Sequence, residues 1–345
     1  MTAGEEPQVV RVAASGTTRI HSAFRTQRRS RRAQPPAALR RPAPITQIAR
    51  AAAWDWAGIG VLWIALATLP RLWPLWVVLL AGRIHALGVL LHELCHRSLS
   101  GRTLPVRLLE AAVGYPVAST LRAMRYHHLR HHRDSGLPTD PYFKPGASER
   151  PLRFLALWLR SLLLLPFWSI RPFVGLVAWR WPAWRTPYAR IWLQDRSGRD
   201  LQADGEVLAC ARAELGQAVV LVVLGVLTWQ FPREIGLFYL LPAELAGLLA
   251  GWRLLFEHTY QPAADRAPST TLALTCDHHL GGLGAWMLAP HGVGHHVVHH
   301  LHPTASYRSL PDLRRWYLAH HPQGYPPPRR ALLPLRRPTS PKKLL

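Results

Sequence analysis

The chain has 345 residues, 49% of them hydrophobic, and a formal net charge of +23 at pH 7 that arginine supplies almost alone. That length and apolar share allow a large core or several membrane spans. Cys95, Cys210 and Cys276 form no CxxC pair, which argues against a disulfide framework and against an iron–sulfur cluster.

In chain order, residues 1–50 lack the apolar core of a secretory signal and scatter Arg, Pro and Ala, which reads as a disordered basic arm. Two apolar stretches follow, at about 52–69 and 72–91, joined by Pro70-Arg71. A second pair, about 216–231 and 235–256, is joined by Pro232-Arg233-Glu234. Each approaches the ~20 residues that cross a bilayer, the third being short. The segment 151–179 is also apolar, but Arg153 and Arg160 share a helical face and Pro166, Arg171 and Pro172 interrupt the rest. It is expected to lie in the interface. From about residue 316 the chain becomes a Pro/Arg-rich tail, read as disordered from about Pro322.

The arginine surplus belongs on a cytoplasmic membrane face under the positive-inside rule. No recognition motif or interleaved stacking aromatics support a nucleic-acid partner. The expected fold is therefore an all-α integral membrane protein with four transmembrane helices in two hairpins, over 51–315. Both tight turns face outward, and a cytoplasmic helical cap and both termini lie inside. Arg83 and His85 in the second span and Glu244 in the fourth are expected to face the bundle interior. His85 lies two turns before His92 on nearly the same face, placed to line a tunnel, to back a ligand or simply to be hydrogen-bonded within the bundle.

Eight histidines fall in three boxes: His92-Glu93-Leu94-Cys95-His96, His128-Leu129-Arg130-His131-His132 and His296-Val297-Val298-His299-His300. On a helix, residues three and four apart share a face, so each box presents two or three imidazoles to one point. Neutral imidazole binds iron, zinc and copper. Eight are too many for one tetrahedral ion, which favours two metals held between several helices. In the predicted topology all three boxes lie on one side of the membrane; a single crossing by 151–179 would separate the second from the third.

The first box also reads as HExxH, in which His92 and His96 would hold zinc and Glu93 would activate water. An intramembrane zinc protease would leave both HxxHH boxes unemployed. It also needs a third ligand, and Asp55, at the edge of the first span, is poorly placed. A non-catalytic metal-binding or metal-transporting membrane protein is the remaining class, although transport would put ligands midway through the spans.

The spacing HxxxH after a hairpin, HxxHH about thirty residues later and HxxHH after a second hairpin resembles the membrane fatty acid desaturase superfamily, with its related hydroxylases and ketolases. Thr139-Asp140-Pro141 after the second box, Arg253 to His258 as RxxxEH, and His300-Leu301-His302-Pro303 with Tyr307 to Pro311 are similar to further family elements. The resemblance implies two non-haem iron ions held by His92, His96, His128, His131, His132, His296, His299 and His300, with His258 as a ninth ligand. Glu93, Asp140 and Glu257 would orient imidazole N–H groups from behind. The implied reaction is O2-dependent hydrogen abstraction from a fatty acyl or lipid chain, giving a double bond, or an alcohol or ketone on the same site. Electrons would come from an external donor such as a ferredoxin, docked on the arginine-rich inner face of a cell inner membrane. His127, His295 and His302 break the box spacing. His278, His279 and His291 read as loop polarity, with a place behind the ligands or at a substrate gate as the alternative, and His320 and His321 as solvent-facing.

Overall fold

A computed structural model describes residues 34–98, 103–147 and 150–329. Proline punctuation and apolar runs set its helix ends. Pro44 is extended and leads into α1 (Ile45–Thr68). Leu69 closes that helix with its N–H on the Ala65 carbonyl, and a 3₁₀ turn over Pro70–Leu72 reverses the chain into α2 (Trp73–Cys95). Proline suits a first turn, where its missing N–H would be unpaired anyway.

Between the hairpins lie α3 (Leu104–Val113), α4 (Leu121–Asp134), α5 (Pro151–Leu159), α6 (Leu164–Arg180) and α7 (Arg185–Trp192). The second hairpin is α8 (Gly205–Gln230) and α9 (Leu241–Phe256), the latter entered through a short turn at Pro232–Ile235 and a π turn at Gly236–Leu240. Short helices follow: α10 (Pro268–Leu274), α11 (Gly282–Leu288), α12 (His296–Leu301) and α13 (Leu310–His320). Among the described residues there are isolated β-bridges but no strand.

Helix α2 is the centre of the bundle, packed between α1 and α9. From Leu80 to Cys95 it is buried except at Gly88, so almost no face of it reaches lipid. Its neighbours are one-sided. Trp54, Val61 and Ile64 of α1 point outward while Ile48, Ile59 and Leu66 face α2. Helices that meet in lipid gain by packing rather than by escaping water.

Five helices, counting 151–180 as one, are long and apolar enough to cross a membrane. The fifth is the segment expected to be interrupted. A 3₁₀ turn at Arg160–Leu163 joins α5 to α6, and Pro166 falls in the first turn of α6, where it is tolerated. Arg171 does not break α6 because its charge is met: Nε donates to Glu214 Oε1 at 2.7 Å and Nη2 to the Ala118 carbonyl at 3.1 Å. Tyr188 OH donates to the same carboxylate at 2.9 Å. Thus α6 packs on the first half of α8, where Val207, Cys210, Ala211, Glu214, Gln217 and Ala218 are buried. The second half exposes Val219, Val222, Val223, Val226 and Trp229.

Both expected tails are shorter at their inner ends. Residues 1–33 and 330–345 lie outside the described residues, but within 36–50 and 316–329 some side chains are packed. Ala43 and Ile48 are buried, and Ser306 N–H donates to the Arg41 carbonyl at 2.9 Å. Tyr325 is buried with its OH on Asp277 Oδ2 at 2.6 Å. Ala43, Ile48 and Tyr325 account for the difference: each joins the core that also holds Leu94, Val297 and Val298.

Candidate metal centre

The first box ends α2, with His92 in its last turn and His96 just past it. The second fills the C-terminal half of α4, whose N-terminus is capped by Thr120 Oγ1 on Ala123 N–H and by Glu110 Oε1 on Leu121 N–H at 2.8 Å. The third is nearly the whole of α12. Its N-terminal turn is held by a distant residue, Asp277, whose Oδ1 accepts from Val297 N–H at 2.9 Å. His258 follows the end of α9.

These elements bring the nine expected histidines into two groups, each with ligand atoms within 4.8 Å of one another. One holds His92, His96, His128, His132 and His299, and the other His131, His258, His296 and His300. The Nε2 atoms of His128 and His96 are 3.0 Å apart, and that of His132 is 2.9 Å from His128 and 3.1 Å from His299. In the second group His131 and His258 approach to 3.0 Å, and His296 and His258 to 3.2 Å.

Hydrogen bonding between neutral rings does not account for that convergence. His131 Nδ1 is 2.8 Å from Asp140 Oδ1, and His258 Nδ1 is 3.0 Å from the Leu254 carbonyl. Carboxylate and carbonyl oxygens only accept, so with both rings neutral the two Nδ1 atoms carry the hydrogen and the two Nε2 atoms are bare. Two lone pairs 3.0 Å apart repel unless a cation lies between them. About 3 Å is also the separation of two imidazole nitrogens at right angles on one ion with bonds of ~2.1 Å. His92 Nε2 and His300 Nε2 are buried with no protein partner. The donor set therefore fits a metal ion in each group.

Protonation favours binding too. Burial pushes His96 and His258 down to about 3, with Arg125 and His131, respectively, adding to the effect. Burial and mutual repulsion hold His128, His132, His296, His299 and His300 well below the ordinary value. Rings kept neutral offer lone pairs.

Carboxylates stand behind the rings. Asp140 also accepts from Gly136 N–H at 3.0 Å and Tyr142 N–H at 2.8 Å. Burial opposes its ionisation, but His131 and these N–H groups outweigh it and hold Asp140 below the usual carboxylate range. Glu257 lies 3.3 Å from His296 Nδ1, 3.1 Å from His278 Nε2 and 3.2 Å from Arg253 Nε. Glu93 accepts from the backbone N–H of Tyr307 at 3.2 Å, bracing the chain after the third box rather than an imidazole. Asp277 and Glu110, both fully buried, were not expected; only the position of Asp277 beside His278-His279 hinted at it.

The remaining histidines lie outside the groups. His127 pairs with Tyr142 OH and stacks on Trp168. His302 meets Tyr317 OH at 2.9 Å, and His291 meets Asp55 Oδ2 at 2.8 Å. His278, read first as loop polarity with a place behind the ligands as the alternative, is buried on Glu257.

Beside the centre is a cavity of about 280 Å³. Its walls include His92, His128, His131, His258 and His296, with apolar surface from Leu157, Leu164 and Trp168. Lys144 and Arg160 line it as well; desolvation, with Arg160 and Arg196 nearby, lowers Lys144 to about 8.

Residues 70–331 match the family described as Fatty acid desaturase. The chain belongs to the fatty acid desaturase family. Membership implies an oxidoreductase acting on lipid, and with five apolar helices it makes the chain an integral membrane protein. A comparison with curated proteins finds no match.

Proposed function

We propose that this desaturase-family chain is an O2-dependent diiron enzyme that introduces a double bond into a fatty acyl or lipid chain, with electrons from an external donor such as a ferredoxin. The observation that carries this reading is the pair of histidine groups, five rings and four, on the wall of an apolar cavity. All nine histidines serve as ligands. When bound, the two irons supply the oxidising power that no side chain has for an unactivated C–H bond. The protein's own residues do the rest. Asp140 and Leu254 O fix the rings of His131 and His258, Glu257 backs His296, and the apolar walls exclude water and hold the chain against the site. An alcohol or ketone would follow on the same site if the substrate carbon sat differently.

The zinc-protease alternative has little support. Asp55 is engaged by Arg83 Nη1 at 2.9 Å and by His291, and Glu93 is engaged by Tyr307. The enzyme sits in the cell inner membrane with boxes and termini on the cytoplasmic side. Because the second and third boxes converge, the chain between them must cross an even number of times. The exposed half of α8 goes out and 232–256 returns, so 151–180 stays on the inner side against the buried half of α8.

The test is metal content of the detergent-purified protein beside His131→Ala, with lipid profiling of expressing cells. About two irons per chain, sharply fewer in the variant, and a new unsaturated lipid are expected. One zinc untouched by the variant overturns the reading.

A further inference from the structure

His85 lies on α2, seven residues before His92, a rise of ~10 Å along the helix. Its ring lines the same cavity as the metal-facing histidines and is only 4% exposed. Nδ1 is 2.9 Å from the Met287 carbonyl, which can only accept. In the neutral ring Nδ1 therefore carries the hydrogen, and Nε2 is a bare acceptor. That Nε2 is buried and has no partner in the protein. On α2 the wall between His85 and His92 is Gly88 and Val89; Ser161 and Arg253 line the same cavity from facing elements, and Nε2 bonds to neither. Met287 is itself held: Arg83 stacks on the neighbouring Trp286 with its guanidinium carbon 3.7 Å from the ring centre, and Asp55 anchors Arg83. The ring is thus clamped from its Nδ1 side.

A buried acceptor that the protein leaves unpaired selects for a ligand that brings a donor. We propose that His85 is a specificity-determining residue of the cavity: its Nε2 accepts a hydrogen bond from a hydroxyl group carried by the lipid substrate, about two helical turns from the metal centre. The proposal rests on the reading that this cavity holds the substrate chain. A chain with a methyl or ether group at that depth leaves Nε2 unpaired and binds less well. Water is the competing occupant.

The test compares 1-decanol with 1-methoxydecane, which has the same chain and an oxygen that cannot donate. Dissociation constants are measured on metal-loaded full-length protein in nanodiscs, corrected for partition into empty discs. Wild type is expected to bind the alcohol about tenfold more tightly. His85→Leu should bring the ratio near one by weakening the alcohol, whereas His85→Gln, whose amide carbonyl still accepts, should retain most of the preference. Equal affinities in wild type, binding of neither probe, or an unchanged ratio in His85→Leu overturns the proposal. The wild-type ratio is decisive even if His85→Leu does not fold. Iron uptake is read on the same preparations: a hydroxyl preference that depends on His85, in protein that takes up no iron on loading, sinks the diiron reading and leaves this one standing.

Discussion

Replacing Asp140 by asparagine preserves the shape of the side chain and removes its charge, which isolates what the carboxylate does for His131. Asp140 is 2% exposed and accepts from three donors: His131 Nδ1 at 2.8 Å, Tyr142 N–H at 2.8 Å and Gly136 N–H at 3.0 Å. Oδ1 serves the first two and Oδ2 the third. If the asparagine oxygen takes the Oδ1 place, its NH2 faces the Gly136 N–H, and one buried donor is orphaned at ~1–3 kcal/mol. With the amide turned the other way, NH2 faces His131 Nδ1, which must then accept, and the hydrogen moves to Nε2 where the metal should bind. Either way the four-histidine group loses affinity by roughly 10–100-fold, or ~1.4–2.8 kcal/mol. The five-histidine group contains neither His131 nor a contact to Asp140 and should keep its ion. Metal retained against a graded chelator should therefore fall in two steps in Asp140→Asn, the first at lower chelator than in wild type. In a His131→Ala background the asparagine should add little, since the partner is already gone. Equal loss from both groups, or the same loss with and without His131, would refute the argument and make Asp140 a brace for the loop alone.

Four further outcomes follow from the same geometry. Asp277→Ala strands Val297 N–H, Arg314 Nε and Tyr325 OH at once and loosens α12. Because α12 feeds both groups, metal content should drop for both ions, and an intact five-histidine ion would count against the capping role. Arg171→Met leaves Glu214 charged and buried, a loss of ~3–5 kcal/mol read as a lower Tm in detergent, and Arg171→Met with Glu214→Leu should recover much of it. Gly136 has φ +78°, and a Cβ there would lie 2.7 Å from Leu274 Cδ1, so Gly136→Ala should cost ~1–3 kcal/mol and weaken the Asp140 turn; an unchanged Tm argues otherwise. For the apoprotein the pH sign is set by His96 and His258, each lowered from 6.5 to about 3. The unfolded chain binds their protons first, so stability is present above pH 6.5 and is lost as pH falls towards 3, at up to ~1.4 kcal/mol per pH unit for each ring. Melting temperatures equal at pH 7.5 and 5 would contradict this.

The histidines were legible because their spacing is local. Three and four residues make one helical turn wherever the helix stands, so His92/His96 or His128/His131/His132 converge before the tertiary fold is known. The two hairpins were legible for the same reason, from run length and Pro70 and Pro232. What the sequence hid acts across long separations. Asp277 caps a helix twenty residues away, Glu110 closes the start of α4, and Glu214 neutralises Arg171 from forty-three residues off. Arg171 looked like a break in 151–179 because its partner belonged to another helix. Glu93, beside His92, was expected to orient a ring and instead reaches Tyr307 across the bundle.

The HxxHH spacing also explains why two groups form rather than one. Relative to the first histidine of such a box, the fourth position lies about 60° to one side and the fifth about 40° to the other. One box can therefore face two ions. His128 and His132 of the second box join the five-histidine group, and His131 joins the other. The third box divides in the opposite sense: His296 and His300 join the four-histidine group, and His299 crosses to the first. Each HxxHH helix thus links both groups, whereas His92 and His96 serve only one, and His258 serves only the other. A change that tilts α4 or α12 should disturb both groups together, whereas loss of His258 should reach the four-histidine group alone. The doubled histidine is what couples the two halves of the centre.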